Sequence, residues 1–119
     1  MKLTGKIIQG SHRGTEVTHL PTINLDQTPE DLDHGVYAVW VRFNGESYKG
    51  GMNWGARPTF DDLKPVMEVH LLNYEGDLYD KMVEVEVIKR LRDIQKFNSP
   101  ELLVAQIQKD IDAIETLLV

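Results

Sequence analysis

The chain contains no cysteine. That excludes disulfides, thiolate metal sites and thiol nucleophiles, and it fits a reducing compartment. No apolar run approaches the ~20 residues that a membrane helix needs. The N-terminal stretch MKLTGKIIQG has no hydrophobic signal-peptide core before its first Gly and Lys. The expectation is a cytoplasmic, unanchored protein. Positive charge is scarce: 13 Lys+Arg stand against 19 Asp+Glu, a formal net charge of -6. This argues against non-specific nucleic-acid binding, which needs a basic face. It leaves room for a small anionic ligand held by a few basic groups and backbone N–H donors. The sequence also lacks a Walker A loop, a Rossmann glycine fingerprint and a G-x-S-x-G elbow. The four histidines, His12, His19, His34 and His70, form no H-x-x-x-H or H-x-H pair, which argues against a zinc site.

What is present reads as one domain over residues 1–119 with one core; apolar residues make up 41%. KLTGKIIQG reads as a first strand ending at Gly10, followed by loops around GSHRG and DQTPEDLDHG. GVYAVWVRF, 35–43, is the clearest strand. Asn44-Gly45 then signals a hairpin turn, with a strand resuming at Tyr48. Gly50-Gly51 suggests a bulge or a close backbone approach. Residues 65–74 and 81–91 alternate as two further strands. Ser99 and Pro100 are suited to cap and start a helix. Leu103, Ile107, Ile111, Ile114 and Leu118 give that helix one apolar stripe, while Asp110, Asp112 and Glu115 read as solvated. About half a dozen antiparallel strands and one amphipathic helix predict a mainly β fold, a small closed or nearly closed barrel with the helix packed on it.

Several short features carry possible chemistry. In GSHRG, two glycines flank an arginine and can wrap backbone N–H groups around phosphate oxygens, or form an ordinary turn. In PTIN, Thr22 and Asn24 share a side if the backbone is extended, and both offer neutral oxygens to Mg²⁺; a proline-led turn is the plain alternative. Glu68 interrupts an apolar strand, on the face of Val66 and His70. Alternation alone leaves it open whether that face is solvated or holds a buried general base. Trp40, Trp54, Phe60, Tyr74 and Tyr79 can stack on a flat ring, although most aromatics in so small a domain belong to the core. Taken together these features fit phosphoryl transfer from a nucleotide to a hydroxyl, which needs phosphate positioning, a metal and a base.

Five segments, in order and covering nearly the whole chain, resemble the riboflavin kinase family, in the bacterial form whose domain is also the C-terminal half of bifunctional FAD synthetases. GSHRGTEVTHLPTINL is similar to the family's glycine–arginine–glycine loop and Pro-Thr-Ala-Asn signature. GVYAVWV, GGMNWGARPTF, VMEVHLLNYEGDLY and LRDIQKFNSPELLVAQIQKDI resemble its later motifs. The resemblance implies a six-stranded antiparallel Greek-key β-barrel with a C-terminal helix. It also implies conversion of riboflavin and ATP to FMN and ADP with Mg²⁺. Under it, Thr22 and Asn24 would ligate Mg²⁺ and orient the nucleotide phosphates, and Gly10, Arg13 and Gly14 would cover them. Glu68 would be the base, His70, Leu78 and Tyr79 would line the adenine side, and Arg92 would lie near the flavin. Three positions depart from the family: Ile23 where Ala is usual, Asp80 where Gly is common and His19 where Gly is frequent. A catalytically weakened flavin- or nucleotide-binding module is the alternative. A single-strand nucleic-acid-binding barrel is disfavoured by the charge. No H-x-G-H nucleotidyl-transfer motif occurs, so the expectation is a product of FMN without FAD. The chain would then be a stand-alone kinase, or a domain separated from an adenylyltransferase partner.

Overall fold

A computed structural model describes residues 1–8, 22–57, 62–74 and 81–119. Six strands run in chain order: β1 (Lys2–Ile8), β2 (Thr22–Leu25), β3 (Gly35–Phe43), β4 (Glu46–Arg57), β5 (Asp62–Leu71) and β6 (Met82–Arg92). One helix, α1 (Pro100–Leu117), follows. All neighbouring strands are antiparallel and they close in the order β1-β2-β5-β4-β3-β6. Strands β3, β4 and β5 form a meander, and β6 returns to lie beside β3, which is the Greek-key arrangement. Closure leaves no open sheet edge.

Alternation along each strand explains what fills the barrel. On β3, Tyr37, Val39, Val41 and Phe43 point inward. They meet Ile23 and Leu25 of β2, Met52 and Trp54 of β4, Met67, Val69 and Leu71 of β5, and Val83 and Val85 of β6. The interior is therefore packed side chain, and its two polar handles are satisfied. Trp54 Nε1 donates to Leu32 O at 2.9 Å and Tyr37 Oη to Asp33 O at 2.6 Å. Ile23 is 5% exposed and sits in this cluster, so the enlarged side chain of the PTIN segment is accommodated as core.

The β3–β4 hairpin turns on Asn44 and Gly45, both with positive φ (52° and 76°). This is the primed turn whose twist matches the flanking strands. At the helix, Ser99 Oγ accepts from Leu102 N at 3.3 Å, with Pro100 in the first turn. α1 lies on the outside of the barrel. Ile114 and Leu118 pack with Ala38 and Leu72, ringed by Trp40, Leu91 and Ile111. A Cβ on Gly51 would come within 3.2 Å of Ile114 Cδ1, so the bare backbone there lets the helix settle close to β4.

The expected strands 35–43 and 81–91 and the helix start agree with the structure; the strand expected over 65–74 runs over Asp62–Leu71, β4 starts at Glu46 rather than Tyr48, and three further details differ. Thr22–Leu25 is a strand rather than only a loop exit; at four residues it is too short to show a period. Gly50-Gly51 is a close approach and not a bulge. Its pairing with β3 is regular, and a Cβ on Gly50 would lie 3.0 Å from His70 O. The register shift falls later, between Gly55 and Arg57. Asp110, expected in solvent, is 9% exposed and ion-paired, while Leu103 and Ile107 of the apolar stripe stay only half-buried. The stripe outruns the barrel surface available to it. Among the described residues, no helix is long and apolar enough to cross a membrane.

Candidate active site

The unusual polar residues lie on the outer face of the wall formed by β2, β5 and β4. Thr22 pairs with His70, and His70 pairs with Gly51. Two residues along β5, Glu68 pairs with Asn53 of β4, which is level with Val36 of β3, itself level with Arg92 of β6. The β2–β5 register, continued one residue past Ile23–Val69, sets Asn24 level with Glu68. Two short rows result: Thr22–His70–Gly51, and Asn24–Glu68–Asn53 running on to Arg92. The period-2 rule that sends Ile23, Met52, Met67 and Val69 inward sends these residues outward.

They face outward, yet two of them are buried and the others only half-exposed. Glu68 is 3% exposed and Thr22 9%. Glu68 itself is therefore buried, outside the core proper, while Val66 and His70 on the same face are half-buried. Burying a carboxylate away from water is costly unless the group is paired or used. Two atoms of the row, Asn24 Oδ1 and Asn53 Nδ2, are buried without a hydrogen bond among the described residues. Native proteins seldom carry such groups without cause.

Thr22 Oγ1 lies 3.0 Å from His70 Nδ1. Burial pushes the His70 imidazole down to about 4, against a smaller upward pull from the Asp110 carboxylate. The ring is therefore neutral at pH 7 and adds no cation to the site. Arg92 reaches from the end of β6 to α1. Its Nε donates to Asp110 Oδ1 at 3.0 Å, its Nη2 to Oδ2 at 2.9 Å, and its Nη1 to Asp93 O at 3.0 Å. The guanidinium also lies 5.8 Å from the Phe97 ring centroid. Gln106 Nε2 adds a 3.1 Å bond to Asp110 Oδ1. This clasp fixes the segment between β6 and α1 beside the end of the second row.

Of the residues expected to form a site, Thr22, Asn24, Glu68 and His70 are brought together, with Arg92 at the far end of the Glu68 row. Gly10, Arg13, Gly14, Leu78 and Tyr79 lie outside the described residues, as do His19, Phe60 and Asp80. Trp54 is core, and Tyr74 packs edge-on to Phe43 and Tyr48. Two residues escaped sequence reasoning. Asn53 could have been found as a poor strand former inside a strand. Asp110 offered a weaker signal, four residues before Ile114 on the edge of the apolar stripe.

The donor set suits a hard cation shared with phosphate. Among the described residues, no cluster of three or more His, Cys, Asp or Glu could hold a metal unaided. Thr22 Oγ1 and Asn24 Oδ1 are neutral oxygens, and Asn24 Oδ1 has no hydrogen-bond donor among the described residues. Mg²⁺ keeps most of its shell as water and phosphate oxygens and takes few protein ligands, so these residues fit it.

The sequence profile of the Flavokinase (riboflavin kinase) family matches residues 1–118. The chain is 37% identical over 113 residues to a bifunctional riboflavin kinase/FMN adenylyltransferase of Haemophilus influenzae, covering 93% of this chain but 36% of that protein. It is 30% identical over 115 residues to the riboflavin kinase of Mus musculus, covering 91% and 74%. The riboflavin kinase structure from Trypanosoma brucei superimposes with a TM-score of 0.68 at 22% identity, covering 98% of this chain and 78% of that one, and shares the fold. With a barrel, a helix and an outer-wall polar strip already in place, the chain belongs to the riboflavin kinase family.

Proposed function

We propose that the chain is a riboflavin kinase, moving the γ-phosphoryl group of ATP to the ribityl 5′-hydroxyl of riboflavin, with Mg²⁺, to give FMN and ADP. The observation that carries this reading is Glu68: a carboxylate buried on the outer face of the barrel, in one row with Asn24 and next to Thr22 and His70. In this mechanism Glu68 accepts the hydroxyl proton as the oxygen attacks the γ-phosphorus. The bond from that phosphorus to the β,γ-bridging oxygen breaks, ADP leaves, and the proton stays on Glu68 until product departs. Thr22 and Asn24 would present oxygens to the cation and so position the phosphates. Mg²⁺, when bound, offsets the negative charge of the phosphate oxygens. Gly10, Arg13 and Gly14 would supply the covering loop. His70, Leu78 and Tyr79 would border the nucleotide. Arg92, through its clasp on α1, would border the flavin.

The weakened-module alternative drew on Ile23 and Asp80. Ile23 now has an ordinary core environment, so it gives that alternative no support. The test is incubation of the purified chain with riboflavin, ATP and Mg²⁺, followed by separation of the flavins. The expected product is FMN without FAD. Riboflavin binding without any FMN would contradict the kinase reading and favour the module.

A further inference from the structure

Among the described residues, Asn53 Nδ2 has no structural partner. The residue stands in mid-strand between Met52 and Trp54, which both face the packed interior, so its own side chain is directed to the outer wall. Its row neighbours are Glu68 and Val36. Asparagine is a poor strand former, and here its amide caps no helix and closes no turn. Its Nδ2 is buried and makes no hydrogen bond among the described residues. A buried donor left unmet costs roughly 1–3 kcal/mol, an expense that a Val at this position would avoid.

The polarity of the row says what is wanted there. On the β2 side of Glu68, Asn24 offers a buried acceptor, Oδ1, and on the β4 side Asn53 offers a buried donor, Nδ2. Directly opposed residues on neighbouring strands lie about 5 Å apart at Cβ, so Asn53 is within one small group of the Glu68 carboxylate. The β2 side, with Thr22 and His70, is the side of the phosphates. From Asn53 the row runs the other way, to Arg92 and the helix whose Leu103 and Ile107 stay half-exposed. That is the side from which an acceptor carrying an apolar ring and a polyhydroxyl chain would reach Glu68. A hydroxyl oxygen is a neutral acceptor, and a neutral amide can hold it without placing a cation beside the base and shifting its pKa.

We propose that Asn53 is a substrate-binding residue, whose Nδ2 donates to a hydroxyl oxygen of the acceptor's polyol chain and so holds the terminal hydroxyl at Glu68. This rests on the kinase reading given above. The assignment separates Asn53 from Thr22 and Asn24, which serve the nucleotide.

The test compares riboflavin with a flavin carrying a methyl group in place of the ribityl chain, binding each to the wild type, Asn53→Ala and Asn53→Leu by quenching of flavin fluorescence. Asn53→Ala should weaken riboflavin binding roughly ten- to a hundredfold. It should leave the methyl flavin and Mg²⁺-ATP binding unchanged. Asn53→Leu, which fills the volume and removes an unmet donor, should melt no lower than wild type without ligand and show the same loss of riboflavin affinity. Equal loss for both flavins, or a riboflavin affinity unchanged in both variants, would overturn the assignment of Asn53 while leaving the kinase reading intact. If the wild type itself binds no riboflavin, the kinase reading fails and the assignment falls with it.

Discussion

Two patches of polar residues decorate the outside of the same barrel, and they differ in how their charges and hydrogen bonds are met. On the β3–β6 wall, Arg42 bridges Glu84 at 3.2 Å and Glu86 at 2.9 Å, all three side chains about one-third exposed. Arg42 holds the Glu86 carboxyl below its usual range, and Glu86 raises Arg42 in return. Each charge there has a partner and water nearby. On the β2–β5–β4 wall, Glu68 is buried, and Asn24 and Asn53 carry buried atoms with no hydrogen bond among the described residues. Both patches follow from the same alternation. A polar residue at an outward position is ordinary when it is solvated or paired. It points to a ligand when it is buried with its hydrogen bonding incomplete.

The contrast predicts a graded series of effects. Glu68→Gln keeps the shape and removes the proposed base. Turnover should fall about 10²–10⁴-fold while riboflavin binding is retained, as read by single-turnover kinetics beside fluorescence titration; near-normal turnover would remove Glu68 from its role. Asp110→Ala strips the partner from a guanidinium that is 18% exposed. Breaking a largely buried pair from one side should cost roughly 3 kcal/mol in urea unfolding, with a further loss of riboflavin affinity if the clasp shapes the flavin side. Ser99→Ala removes the cap of α1 and should cost about 1 kcal/mol, with Mg²⁺-ATP binding unaltered. Arg42→Met, on the paired wall, should change neither the unfolding midpoint measurably nor the rate.

A pH experiment sharpens the same comparison. His70 titrates near 4 in the folded chain and near 6.5 unfolded. Between these values the unfolded chain binds more protons, so stability rises with pH across that window. It should be fully present above about pH 6.5 and be lost progressively as the pH falls toward 4. His70→Gln should flatten that slope in urea midpoints measured from pH 4 to 7 without ligand. An unchanged slope would place the titration elsewhere.

Much of this was legible in the residues. The Val-rich strand 35–43, the Asn44-Gly45 turn and the Ser99-Pro100 helix start act through local rules, and the structure shows each of them. The closed barrel followed from counting strands and needing to cover edges. The site was less legible, because its members converge only through pairing between strands distant in sequence: Thr22 meets His70 across 48 residues. Period alone placed Glu68 on a face but could not say whether anything covered that face. Asp110 was misjudged for a related reason. It sits beside the apolar stripe of α1, and only the reach of Arg92 from β6 turns it from a solvated acid into a buried partner. The family resemblance assigned roles to Thr22, Asn24 and Glu68; it took in Asn53 within GGMNWGARPTF without giving it a role.

The central claim is that substrates meet on the outer wall of β2, β5 and β4, with Arg92 at its margin, while the Arg42–Glu84–Glu86 patch takes no part. The most direct measurement is mapping of backbone amide shifts as riboflavin, and then Mg²⁺ with a non-hydrolysable ATP analogue, are added. The account predicts that shifts concentrate at residues 22–24, 51–53 and 68–70, with Asn53 moving on riboflavin addition and Thr22 on nucleotide addition. Shifts confined to Arg42, Glu84 and Glu86, with the buried strip unmoved by either ligand, would contradict it.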